Sequence, residues 1–144
     1  IFVALVLGFS IISIACADNE RITRSLNDLP APAREVVNKE FANTKVSYIK
    51  IDKDLFKSTT YEVQFVNGME ITFDKDGNWI EVDCRHEAVP AAIVPKQIAA
   101  YVAEHHRGHT IVELKRERHE WEAKLSNGYE LKFDKRGRLT DVDD

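Results

Sequence analysis

The sequence predicts an α+β fold of two tandem repeats, each one helix followed by a four-stranded antiparallel sheet. Three observations carry this expectation. The segment Asn67-Gly68-Met69-Glu70-Ile71-Thr72-Phe73-Asp74-Lys75-Asp76-Gly77 recurs 60 residues later as Asn127-Gly128-Tyr129-Glu130-Leu131-Lys132-Phe133-Asp134-Lys135-Arg136-Gly137, with seven of eleven positions identical. Each Asn-Gly dipeptide lies between strictly alternating segments, as in a β-hairpin. Ahead of each set of strands stands a Pro-led stretch with apolar residues at helical spacing.

The elements follow in order. In the first unit Pro32 opens a helix through Phe41, with Ala33, Val36, Val37 and Phe41 near one face. In the second, Pro95 opens a helix carrying Ile98, Tyr101, Val102 and His105, and Gly108 stands where a helix end needs positive φ. First strands are expected at Lys45–Asp52 and Thr110–Arg116. Tyr61-Glu62-Val63-Gln64-Phe65 and Trp121-Glu122-Ala123-Lys124-Leu125 then alternate apolar with polar. After each Asn-Gly, read as a two-residue type I′ turn, come Met69, Ile71 and Phe73 or Tyr129, Leu131 and Phe133 on one face. The turns Asp74–Gly77 and Asp134–Gly137 lead into short last strands, and Val82-Asp83 returns as Val142-Asp143. Upstream, Leu29-Pro30 matches Val94-Pro95 at an offset of 65, which places five extra residues in the Lys53–Thr60 stretch. Glu62, Gln64, Glu70 and Thr72, with Glu122, Lys124, Glu130 and Lys132, form the outward face, so the sheet is dry on one side and wet on the other. A unit of about 50 residues buries too little surface to be stable alone, so the two should share one body. The expected boundaries are residues 1–17, a leader; 18–28, an N-terminal lead; 29–84, repeat one; 85–93, a linker; and 94–144, repeat two.

Composition narrows the function. The 144 residues hold 24 acidic and 20 basic side chains, a net charge of -4, and are 44% hydrophobic, as expected of an ordinary folded domain. No basic run is present to neutralise a nucleic-acid backbone. Residues 1–17 carry no charge and end in Ala15-Cys16-Ala17, a small-x-small cleavage pattern, so they read as an export signal whose basic start is missing. The run is shorter than the roughly 20 residues of a membrane span. Cys16 is removed with the leader if cleavage follows Ala17; the alternative is that it carries a lipid anchor. Removal leaves Cys84 as the single thiol, too few for an internal disulfide.

The pattern of Leu29-Pro30, Tyr61-Glu62-Val63, Asn67-Gly68 and Phe73-Asp74-Lys75-Asp76-Gly77-Asn78-Trp79, with a second copy at Tyr101, Gly108, Trp121-Glu122, Asn127-Gly128 and Phe133-Asp134-Lys135, resembles the PepSY-like family of β-lactamase-inhibitor-like proteins. The resemblance implies a β-lactamase-inhibitor-protein-like fold of helix plus four-stranded sheet and an exported protein of the bacterial envelope. It brings no catalytic residues, and a shared fold does not by itself assign a function. Arg107 precedes Gly108 where the family often has Pro.

The candidate sites divide between recognition and metal binding. Trp79 alternates with Ile80 and Val82 and should point away from the core, and Tyr48 does the same beside Ile49 and Ile51. An exposed aromatic on a rigid sheet is a common binding anchor; the alternative is that both rings pack under the neighbouring unit. His105, His106 and His109 offer imidazoles for a metal, with His86 and His119 elsewhere. Gly108 breaks the helix between His105 and His109, and cations near a helix C-terminus are favoured by its dipole, so a capping role is preferred. Asp74-Lys75-Asp76-Gly77-Asn78 has its Gly at position 4 and Arg85 at position 12, which fits a hairpin turn rather than a calcium loop. No nucleophile elbow, phosphate-cradling Gly loop or Cys-x-x-Cys is present. The expectation is therefore a non-catalytic exported binding module without a cofactor, engaging a periplasmic protein or peptide as inhibitor or adaptor. The alternatives are a metal-binding envelope protein using the His cluster, or a structural envelope component.

Overall fold

The computed structural model describes residues 19–54 and 56–144, so the expected leader and Cys16 lie outside the described residues. In chain order the elements are β1 (Glu20–Thr23), a short 3-10 turn (Leu26–Asp28), α1 (Ala31–Glu40), β2 (Val46–Asp52), β3 (Thr60–Phe65), β4 (Glu70–Phe73), β5 (Trp79–Asp83), α2 (Lys96–His105), β6 (Ile111–Arg116), β7 (Glu120–Leu125), β8 (Glu130–Asp134) and β9 (Leu139–Asp143).

The expected pair of repeats, each with its own four-stranded sheet, is corrected by the strand pairing. All nine strands form one antiparallel sheet in sequential order β1 to β9, and the architecture is mostly β with two helices. The joint is β5 against β6, in register at Glu81↔Lys115, Val82↔Leu114 and Asp83↔Glu113. Two separate sheets would have left the backbone groups of β5 and β6 as bare edges, a liability that pairing removes. The N-terminal lead contributes a strand of its own, β1, paired with β2 from Glu20↔Asp52 to Thr23↔Ile49.

Both hairpins with Asn-Gly close differently from a type I′ turn. The Gly68 N–H donates to the Phe65 carbonyl at 3.1 Å and the Phe65 N–H to the Met69 carbonyl at 2.9 Å, which makes a three-residue loop. Gly68 takes φ 89 while Asn67 stays at negative φ, the pattern of a type I turn followed by a left-handed bulge residue. The β7–β8 hairpin does the same with Gly128 at φ 93.

Pro30 and Pro95 stand immediately before α1 and α2, where a missing N–H costs nothing. The helices bury Ala33 and Val37, and Ile98 and Val102, against one side of the sheet. From the strands, Ile49, Val63, Phe65, Ile71, Phe73, Val82, Leu114, Leu125, Leu131 and Phe133 complete one continuous core. Phe41 stacks on Phe65 at 5.0 Å, and Tyr101 meets Phe133 edge-on at 5.5 Å, so each helix is keyed to the sheet by an aromatic pair. No helix among the described residues covers the other side of the sheet. Among the described residues no helix is long and apolar enough to cross a membrane.

Candidate functional site

Period-two alternation puts most of the polar residues of β2 to β9 on the uncovered side, and the register arranges these side chains in rows. One row runs Lys50, Glu62, Thr72, Glu81, Lys115, Glu122, Lys132 and Asp141 across β2 to β9. Its charges largely alternate, and Lys50 Nζ lies 3.1 Å from Glu62. That contact raises the Lys50 pKa above its ordinary value.

The neighbouring row begins at Tyr48 and continues Gln64, Glu70, Asp83, Glu113 and Lys124. Here three carboxylates stand directly opposite one another on β4, β5 and β6. Like charges in that relation destabilise a sheet. Glu70 shows the effect: its carboxyl is pushed above the usual range, first by partial burial and then by Glu62, Glu81 and Asp83. Lys124 relieves one end, its Nζ 3.6 Å from Glu113. Tyr48 is half-buried at the other end of the row, on the open side where alternation puts it.

At one end the open side runs into a cleft of about 370 Å³ lined by Arg85, His86, Glu113, Lys124 and Ser126. Arg85 is held there with φ 60, a left-handed conformation unfavourable for any residue with a Cβ. Its Nε donates to the Gly68 carbonyl at 2.9 Å, and its guanidinium lies 3.7 Å from Asp83.

Trp79 lies on the other side of the sheet. The register passes from Thr72↔Glu81 to Phe73↔Trp79, so Ile80 is the extra residue of a bulge. The bulge breaks the alternation on which the outward placement rests. It sets Trp79 opposite the buried Phe73, half-buried and packed against the core. Trp79 meets Trp121 of β7, ring centroids 5.5 Å apart and tilted 58°. The Arg116 guanidinium lies over both rings, 5.5 Å and 5.9 Å from their centroids. Trp121 and Arg116 escaped the sequence reading because they lie on β7 and β6, and only the β5–β6 joint brings them to Trp79.

The three His side chains do not converge. His105 stacks on Tyr101 at 4.2 Å and its Nδ1 donates to the Tyr101 carbonyl at 3.1 Å. His106 lies 5.5 Å from the Tyr129 ring, and His109 Nδ1 is 3.5 Å from Ser126 Oγ. Among the described residues no group of three or more His, Cys, Asp or Glu side chains is placed to hold a metal ion. The Asp74 turn is closed from within. Oδ1 accepts the Asp76 and Asn78 N–H groups at 2.9 Å each, and Oδ2 accepts the Asn78 amide at 3.3 Å. Asp134 is bound likewise, and the Arg138 backbone N–H leads the contacts that hold its carboxyl below the usual range. Cys84 is buried, and its thiol is pushed up to about 11, chiefly by desolvation.

Residues 59–141 match the family described as "Putative beta-lactamase-inhibitor-like, PepSY-like". The chain belongs to this PepSY-like family. Three solved structures are similar to it over nearly their whole length. A periplasmic protein of unknown function from Bacteroides vulgatus is 41% identical, with a TM-score of 0.81, covering 87% of this chain and 99% of its own. A second from the same organism is 38% identical, with a TM-score of 0.84 and coverage of 89% and 99%. A protein of Bacteroides thetaiotaomicron described as calcium-regulated is 36% identical, with a TM-score of 0.83 and coverage of 88% and 98%. Each of the three is described as a putative periplasmic protein, which supports an exported location for this PepSY-like chain. No curated protein matches it.

Proposed function

We propose that this PepSY-like protein is a non-catalytic periplasmic binding protein that engages a basic segment of another envelope protein through its open sheet side, as inhibitor or adaptor. The observation that carries this reading is the run of Glu70, Asp83 and Glu113 on adjacent strands. A sheet that retains three facing carboxylates accepts a folding penalty, and a cationic partner converts that penalty into attraction. Tyr48, in the same row, supplies a half-buried ring for the partner's side chains. The family relationship to inhibitor-like proteins agrees with protein binding.

Catalysis has no part in this reading. Cys84 is held protonated at neutral pH, and a thiol rather than a thiolate is a poor nucleophile. Calcium, named for the thetaiotaomicron relative, has a weaker claim on this chain, because the Asp74 oxygens are occupied by the turn's own N–H groups.

The test is capture. Full-length protein is immobilised, exposed to periplasmic extract of its source and crosslinked, and the retained material is identified by mass spectrometry. A parallel column carries Glu70→Gln/Asp83→Asn/Glu113→Gln. One dominant partner, retained by the native protein, released by salt and absent from the variant column, supports the reading. The same proteins on both columns, or none on either, overturns it.

A further inference from the structure

We infer that Trp79, Trp121 and Arg116 form a second recognition site, on the helix-bearing side, for a carboxylate-bearing peptide segment. The site lies beyond the end of the β5–β6 ladder, whose last registered pair is Glu81↔Lys115. Trp79, Arg116 and Trp121 are the next core-facing positions of β5, β6 and β7, and all three remain half-buried rather than covered. Two tilted indoles with a guanidinium across them unite the residue types that dominate binding hot spots.

The charge selects the occupant. Among the described residues Arg116 forms no ion pair and its side chain donates no hydrogen bond, although a guanidinium carries five N–H donors. Arg116 is only partly buried, so a donor edge of its guanidinium is within reach of an acceptor from outside. A carboxylate matches that edge with two parallel hydrogen bonds. The neighbouring Lys115 faces the open side and lies 3.8 Å from Glu117, so Arg116 is the cation that faces the two indoles. The exposed parts of the two indoles then accept an apolar side chain beside the acid. This side of the sheet is opposite to the Glu70–Asp83–Glu113 row, so the two surfaces take partners of opposite charge.

The site carries its own reporter, because Trp79 and Trp121 are the two tryptophans of the chain. The experiment titrates the full chain with a blocked peptide of alternating Glu and Leu while following tryptophan emission. A Gln-Leu peptide of equal length is the control. The expected result is a saturable change with the acidic peptide that weakens with salt and is absent with the control. Arg116→Gln should lower the affinity at least about tenfold, as befits a lost hydrogen bond to a charged group. Glu70→Gln/Asp83→Asn should leave it unchanged, which separates this site from the open side. If Arg116→Gln fails to fold, Arg116→Lys keeps the charge but loses the planar fork, and a clear loss of affinity is still expected. No saturable change with the native protein overturns the inference. So does an equal response to the Gln-Leu peptide, or an unchanged affinity in a folded Arg116 variant. A change of emission with protein concentration alone would assign the site to a second copy of the chain and overturn the foreign peptide.

Discussion

Val82 of β5 lies directly opposite Leu114 of β6, and the two side chains are 0% and 1% exposed. No tight hairpin connects these strands, since α2 lies between them in the chain. The joint is held by three registered residue pairs and by the packing of these two side chains against the core.

A molecule joined in this way should unfold as one. Urea titrations followed by far-ultraviolet circular dichroism and by tryptophan emission are expected to give coincident transitions. Leu114→Ala removes a buried side chain at the joint and should cost about 2–5 kcal/mol, shifting both probes together. Separate transitions would show that the halves are independent.

Glycine substitution should separate backbone strain from steric conflict. Gly77 and Gly128 both have positive φ, 85 and 93. A Cβ at Gly77 would stand 3.0 Å from the backbone nitrogen of Ala33 at the start of α1, whereas at Gly128 it meets nothing within 4 Å. Gly128→Ala should therefore cost about 1 kcal/mol, the ordinary penalty for a left-handed Ala. Gly77→Ala should cost clearly more, because the close neighbour is backbone and cannot swing away. Chemical denaturation of the two variants side by side checks the order.

Glu70→Gln is expected to stabilise the protein at neutral pH by about 0.5 kcal/mol, by removing one member of a like-charged cross-strand pair. The sign follows from linkage. Burial and neighbouring acids raise the Glu70 pKa above 4.5 in the folded state. The folded protein therefore holds this proton more tightly, and the associated stability is present at low pH and lost as pH rises through the raised value. The advantage of the variant should shrink in acid and in high salt. Melting curves at several pH values measure it, and the same variant should bind a basic partner less tightly.

Cys84 should behave as an inert core residue. Its thiol ionises at about 11 in the folded protein against 9.0 for an unperturbed cysteine, because the thiolate is desolvated. The stability linked to its proton is thus intact below 9.0 and lost as pH climbs towards about 11. Thiol reagents at neutral pH should react at the rate of unfolding rather than of collision, and Cys84→Ala should blunt the alkaline loss of stability. Rapid labelling of the native protein would contradict both.

Local chemistry made much of the fold legible. Tyr61–Phe65 and Trp121–Leu125 alternate and form β3 and β7, and the prolines stand at the starts of the helices. The β5–β6 pairing had no local signal, because partners on either side of a helix leave no turn motif between them. Trp79 shows a second limit. Parity along a strand predicts a side chain's face only while the ladder is regular, and Ile80 resets it without any Gly or Pro to mark the place. Tyr48 opens the regular part of the β2–β3 ladder and stands on the open side, but the acidic row beside it needs the register of β3 to β6, which only the assembled sheet supplies.

Among the described residues the sheet has two outer strands, β1 and β9, and β9 exposes four of its five residues. Val142 is 42% exposed there, flanked by Asp141, Asp143 and Asp144. These carboxylates act as gatekeepers, since a strand docking alongside would bring its own charges against theirs. The guard is electrostatic and reaches only about a Debye length, so salt weakens it while leaving the buried core untouched, and the protein's resistance to edge-to-edge association is tied to ionic strength more closely than its folding is.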